Sequence, residues 1–170
     1  MATIVQKYGG TSVADAGKIK SVARRIADAR HRGDRVVAVV SAMGDTTDKL
    51  IELAGQVSSR PESRELDALL STGEQMSCTL VAMALKSLGL DAVSLSGAQA
   101  GIRTDSRYGK ARIAAVEGGR IQGELEAGRV VVVAGFQGIT QGMDVTTLGR
   151  GGAALFAAPP AAALGAAARG

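Results

Sequence analysis

Val36-Val37-Ala38-Val39-Val40 runs without a polar residue into Ser41-Ala42-Met43-Gly44. A strand with one wet face alternates apolar and polar side chains, whereas a strand covered on both faces reads as a continuous apolar run. Val130-Val131-Val132-Val133 repeats the pattern further along the chain. Two such runs predict the interior of a mostly parallel sheet with helices on both sides.

Working outward, Thr3 to Val5 is a short β-branched run that leads into Lys7-Tyr8-Gly9-Gly10-Thr11-Ser12. A helical pattern follows, with Ile19, Val22, Ala23 and Ile26 on one face. Asp45 or Thr46 is expected to cap a helix carrying Leu50, Ile51 and Leu53. Beyond Arg60-Pro61 a long helical stretch bears Leu66, Leu69 and Leu70, then Met76, Leu80 and Leu85, with an expected interruption at Ser71-Thr72-Gly73-Glu74. A short strand from Ala92 to Leu95, a looser glycine-containing segment from Ser96 to Gly109 and a helix around Arg120 to Glu126 precede the valine run. Strands alternating with helices build right-handed βαβ units, and ligands then sit beyond the carboxyl ends of the strands. Three segments meet that description: Lys7 to Ser12, Ser41 to Asp48, and Gly135 to Gly152. They are expected to form one site.

Composition narrows the function classes. A chain of 170 residues with 46% hydrophobic content suits one globular unit, and its few aromatic residues, Tyr8, Tyr108, Phe136 and Phe156, make the core aliphatic. The formal charge of +4 is scattered apart from a loose cluster at Arg24, Arg25, Arg30, Arg32 and Arg35, which with so little aromatic surface argues against nucleic-acid binding. No leader pattern and no membrane-length apolar run is present, so a cytoplasmic, soluble protein without membrane contact is expected. Cys78 cannot form an internal disulfide, and it falls in an apolar helical pattern, which reads as core packing. His31, near the end of the first helix, has no metal set or nucleophilic triad around it.

Each loop has a chemical reading beside a plainer one. Lys7 through Ser12 places a cation and two side-chain-free amides before a helix N-terminus, a setting for phosphate; the plainer reading is a tight turn with a solvated lysine. It is not a Walker A loop, because the lysine precedes the glycines. Ser41 through Asp48 places hydroxyls and amides at a strand-to-helix junction, which serves either a small anionic or zwitterionic molecule or simple capping. Glu74 either holds a substrate ammonium or is solvated like most helical glutamates. Arg150, within Thr146-Thr147-Leu148-Gly149-Arg150-Gly151-Gly152, offers a bidentate grip on a carboxylate or forms a flexible turn.

In order, K-Y-G-G-T-S, V-V-S-A-M-G-D-T-T-D, L-L-S-T-G-E, A-G-F-Q-G and T-T-L-G-R-G-G resemble the kinase domain of aspartate kinases, within the amino-acid kinase family, from about residue 3 to Gly152. The resemblance implies a three-layer αβα sandwich with a mostly parallel sheet, the carbamate kinase-like fold, here truncated. It implies ATP and Mg2+ as cofactors. Lys7, Tyr8, Gly9, Gly10 and Ser41 would then belong to the ATP side, with Lys7 the catalytic cation. Asp45, Thr46, Thr47, Glu74, Arg150, Gly151 and Gly152 would surround L-aspartate, whose side-chain carboxylate receives the γ-phosphoryl group. No residue is assigned as a metal ligand. The resemblance places that reaction first on the way to lysine, threonine and methionine.

Residues 1–152 therefore read as the N-terminal part of a kinase domain and residues 153–170 as an aberrant Ala/Pro-rich tail. Aspartate kinases typically continue after G-R-G-G with S-D-T-T, whereas this chain has Ala153-Ala154-Leu155-Phe156-Ala157-Ala158-Pro159-Pro160. The family pattern returns at Ala161-Ala162-Ala163-Leu164-Gly165-Ala166 with no net insertion or deletion, which suggests two compensating reading-frame slips, testable by resequencing the gene. Pro159-Pro160 is expected to disrupt the helix of that region. The expectation for the chain alone is little or no turnover, with a noncatalytic aspartate-binding or interaction fragment as the alternative. An uncovered sheet edge or apolar face is expected to favour homo-oligomers or association with a complementary aspartate kinase chain.

Overall fold

The computed structural model describes residues 1–149, 158–165 and 167–169. Its centre is the sheet expected from the valine runs. Strands β1 (Thr3–Tyr8), β2 (Arg35–Val40), β3 (Ala92–Leu95), β6 (Val130–Ala134) and β9 (Ala167–Arg169) are all parallel, in the order β3-β6-β2-β1-β9. Alternate residues of one strand enter different cores. Val36, Ala38 and Val40 pack with Ile4, Val130 and Val132 beneath helices α1 (Ala16–His31) and α3 (Ser63–Ser87). Val37 and Val39 pack with Val5, Val131 and Val133 on the other face, beneath α4 (Gly119–Glu126) and Ala161 of α5 (Ala158–Ala163). Both faces being dry, the strands have no polar positions to alternate. Ile19, Val22, Ala23 and Ile26 of α1 are all buried, as their spacing requires.

A second sheet was not legible in the sequence. Strands β4 (Ile102–Thr104), β5 (Ile113–Val116), β7 (Gln137–Ile139) and β8 (Val145–Thr147) assemble in the order β5-β4-β7-β8, antiparallel except for β4 with β7. The looser segment expected from Ser96 to Gly109 thus contains a strand. Contact between the β3–β4 connection and β7 is so close that a β-carbon at Gly97 would stand 2.2 Å from the Gln137 carbonyl oxygen. Gly97→Ala is expected to cost about 2 kcal/mol, because the obstacle is backbone and cannot rotate away. The check is a lowered urea midpoint with an unchanged slope.

Three local expectations are corrected. The long helix α3 is not interrupted at Ser71-Thr72-Gly73-Glu74; it continues through all four residues. The Ser71 and Thr72 hydroxyls donate back to the carbonyls of Ala68 and Leu69, at 2.7 Å each, and so are satisfied without a break. Gly73 serves close packing: a β-carbon there would lie 3.1 Å from that of Ala42. Helix α2 (Thr46–Val57) starts after Asp45, but the Asp45 side chain makes no capping bond and pairs with Lys49 at 3.1 Å. None of Leu50, Ile51 and Leu53 is buried. Pro159 and Pro160 fall in the first turn of α5, where no intrahelical N–H is required, so the helix forms with them at its start.

Candidate active site

The carboxyl ends of β1, β2 and β6 open onto a cavity of about 450 Å³. Backbone bonds stitch its rim. Ser41 N–H donates to the Tyr8 carbonyl at 3.1 Å, Gly44 N–H to that of Gly10 at 3.0 Å, and Gly135 N–H to that of Val40 at 2.8 Å. All three expected loops contribute to the wall, through Gly10, through Ser41, Gly44 and Thr47, and through Phe136, Thr147 and Leu148.

The fourth wall is α3, which turns one polar stripe toward the second sheet. Arg64, Asp67, Ser71, Glu74 and Ser77 recur at steps of three or four residues, the spacing of one helix face. Arg64 donates to Asp144 at 2.9 and 2.6 Å, and the Tyr108 hydroxyl donates to the same carboxylate at 2.8 Å. These donors hold the Asp144 carboxyl below its usual range, the Arg64 hydrogen bond acting most strongly. Asp67, 1% exposed, accepts from Gly109 N–H at 3.0 and 2.9 Å, from Thr147 N–H at 2.9 Å and from the Thr147 hydroxyl at 2.7 Å. The Ser77 hydroxyl donates to the Ser41 carbonyl at 2.6 Å, tying α3 to the end of β2.

Glu74 lines the cavity and is only 6% exposed. Its Oε2 is buried without a hydrogen-bond partner. Burial pushes its carboxyl up to about 7, against the lesser opposing effects of its own backbone N–H and the Gln137 amide. A buried acid in the wall of a cavity, with one oxygen unmet by the protein, suits a cationic or proton-donating guest.

The remaining sequence candidates fall in several places. Lys7, at the end of β1, carries its ammonium 5.9 Å from the centre of the Phe136 ring, which itself lines the cavity. Phe136 adopts a left-handed backbone, φ 59°, uncommon for a residue other than glycine. Gly9 precedes a 3-10 turn over Gly10–Val13 and accepts from Ser12 N–H at 3.0 Å. Tyr8 is buried in the core, its hydroxyl 3.1 Å from the Gln6 amide oxygen and its ring beneath Arg25. Asp45 is largely exposed in its pair with Lys49. Thr46 packs beside Gly73, and Thr47 reaches the cavity. Arg150, Gly151 and Gly152 lie outside the described residues.

Sequence reasoning missed Asp67 and Gln137. Asp67 lies seven residues before Glu74, two helical turns along the same face, and that spacing was the available signal. Cys78 is buried as expected, its thiol 3.1 Å from the Val132 carbonyl and raised to about 12 by burial. Among the described residues no three His, Cys, Asp or Glu side chains gather to hold a metal ion. They therefore form no cage for Mg2+, an ion that commonly rides on substrate phosphates. No helix among the described residues is long and apolar enough to cross a membrane.

The chain matches the amino acid kinase family model over residues 2–168. It is 58% identical over 167 residues to an aspartokinase of Mycobacterium tuberculosis, covering 98% of this chain and 40% of that protein. It is 52% identical over 167 residues to an aspartokinase of Corynebacterium glutamicum, with the same coverage. Among solved structures, aspartate kinase from Synechocystis superposes with a TM-score of 0.81 at 47% identity, over 97% of this chain and 27% of that one. E. coli aspartokinase III in complex with aspartate and ADP gives a TM-score of 0.83 at 26% identity, over 96% of this chain and 47% of that one. The chain thus spans about 40% of the length of the curated relatives it matches. By its sheet order, its rim of three loops and these matches, it belongs to the amino acid kinase family, with aspartokinases as its homologues.

Proposed function

We propose that this chain carries the aspartate-binding part of an aspartate kinase site, in which the γ-phosphoryl group of ATP passes to the side-chain carboxylate of L-aspartate, giving 4-phospho-L-aspartate. The observation that carries the reading is Glu74, a buried carboxylate with an unmet oxygen in the wall of a cavity rimmed by hydroxyls and backbone amides. Its partner would be the α-ammonium of the amino acid, held in a site from which water is largely excluded. Thr47 offers its hydroxyl to the rest of the substrate, with Asp45 and Thr46 at the start of the same helix. Arg150, flanked by Gly151 and Gly152, would supply the bidentate grip on a carboxylate.

Lys7 supplies the phosphate-side cation, with Gly9, Gly10 and Ser41 around it and Tyr8 fixing the strand end from the core. Its ammonium, 5.9 Å from the centre of the Phe136 ring, would leave that ring for a phosphoryl oxygen when nucleotide binds. The carboxylate of aspartate attacks the phosphorus in line, the bond to the β-phosphate oxygen breaks, and ADP leaves with the electron pair. Such a transfer asks the protein for position and charge compensation rather than covalent chemistry. Bound Mg2+ would compensate phosphate charge. The setting would be cytoplasmic amino-acid biosynthesis, leading toward lysine, threonine and methionine.

For the chain by itself we infer binding with little turnover, because Ala153 and Ala154 stand where aspartate kinases typically have serine and aspartate. Residues 1–152 would act as the N-terminal part of the kinase domain, in a homo-oligomer or joined to a complementary chain. Calorimetric titration with L-aspartate, and separately with ATP, tests this. Saturable aspartate binding by the wild type, weakened at least tenfold in Glu74→Gln, is expected. Absence of any aspartate binding would refute the reading, and rapid aspartyl phosphate formation would refute the inference of low turnover.

A further inference from the structure

We propose that Gln137 is a positioning residue for Glu74: its amide, pinned between the Gly97 N–H and the Ser71 carbonyl, fixes the direction in which the Glu74 carboxylate faces the cavity. Gln137 is 2% exposed and sits on β7. Its Oε1 accepts from Gly97 N–H at 3.2 Å, and its Nε2 donates to the Ser71 carbonyl at 3.0 Å. Ser71 and Glu74 are three residues apart on α3, so an amide seated on one stands beside the other. From there the amide lowers the Glu74 carboxyl, against the stronger effect of burial.

Both ends of the amide are thus committed. Rotating it by half a turn would set its oxygen against the Ser71 carbonyl and its N–H groups against the Gly97 N–H, so only one orientation satisfies both partners. Nor is there room for β7 to retreat, since the Gln137 backbone already fills the space a β-carbon on Gly97 would need. A rigidly held amide thus stands beside a carboxylate whose Oε2 has no hydrogen-bond partner in the fold.

Charged groups on the surrounding elements are engaged elsewhere. Lys7 of β1 lies over Phe136, Asp67 of α3 binds Gly109 and Thr147, and Asp45 pairs with Lys49 at the start of α2. Burial, the residue's own backbone and the Gln137 amide are the influences on the Glu74 carboxyl.

The test compares wild type, Gln137→Met, Glu74→Gln and the double variant. Without ligand, unfolding is followed from pH 4.5 to 8. Because the Gln137 N–H favours the charged carboxylate, Gln137→Met should carry the pH-dependent loss of stability to higher pH when Glu74 is present. In the Glu74→Gln background the same exchange should lower stability equally at every pH. A pH-independent loss in both backgrounds overturns the inference. Gln137→Glu, which keeps the acceptor for Gly97 but loses the donor, should displace the pH dependence further and serves if the methionine variant does not fold.

A second arm, which rests on the ammonium-binding reading of Glu74, titrates L-aspartate. Gln137→Met should weaken binding about tenfold in the wild-type background and not measurably in Glu74→Gln. Equal losses in both backgrounds overturn the inference. A wild type that binds no aspartate would remove the proposed function, and the ligand-free arm would still decide the role of Gln137.

Discussion

Exchange of Asp67 for alanine is expected to lower the unfolding free energy by about 4 kcal/mol, a large share of the total stability of a domain of this size. Three donors converge on this carboxylate: the Gly109 N–H, the Thr147 N–H and the Thr147 hydroxyl. They come from two segments of chain, and α3 is what they share. A donor buried without its acceptor costs about 1–3 kcal/mol, and the cavity left by the carboxylate is too polar to close on itself. Asp67→Asn keeps the shape but turns an N–H toward other N–H groups, so it should recover only part of the loss. Arg64→Ala, one turn earlier, removes a half-exposed ion pair with Asp144 and should change stability little. Urea unfolding of the three variants decides the matter. If Asp67→Ala costs no more than Arg64→Ala, the carboxylate does not fasten the second sheet to α3.

What that carboxylate fastens is the part of the fold that the sequence conceals. The central strands declare themselves because dry faces on both sides leave four or five consecutive apolar residues, and α1 declares itself by a repeat long enough to have a phase. Strands β4, β7 and β8 have three residues each, too few for alternation to be distinguished from chance. Their register is set by contacts from far along the chain, notably Asp67 to Thr147 and Gln137 to Gly97. Gly73 misleads for a related reason. A glycine inside a helical pattern reads locally as a break, whereas here it answers to Ala42 across the interface. The site was legible to the extent that it follows the topology: loops at the carboxyl ends of parallel strands must share a rim. Of its supporting polar residues, Asp67 is marked in sequence only by its seven-residue spacing from Glu74, and Gln137 reads like a solvated surface group.

Glu74 connects that support to function and carries the second large effect. The carboxyl titrates near 4.5 in an unfolded chain and is raised to about 7 here, burial being the leading cause. In the folded protein the acid form is favoured, so its contribution to stability is complete below about pH 4.5 and is lost as pH rises through about 7. Each unit is worth 1.36 kcal/mol, which makes the loss about 3 kcal/mol. Wild type should therefore lose about that much stability across this window from Glu74 alone, and Glu74→Gln should remove that component, visible as a flatter difference curve of urea midpoints against pH.

An ammonium seated against the carboxylate reverses the preference, because the charged form now gains a partner. Aspartate binding should accordingly strengthen about tenfold per pH unit up to about pH 7 and then level off, with close to one proton released per ligand bound well below that pH. Calorimetry at pH 6 in buffers of different ionisation enthalpy counts that proton. A pH-independent affinity with no proton released would show that the substrate ammonium lies elsewhere, whatever the stability curves say of the buried acid.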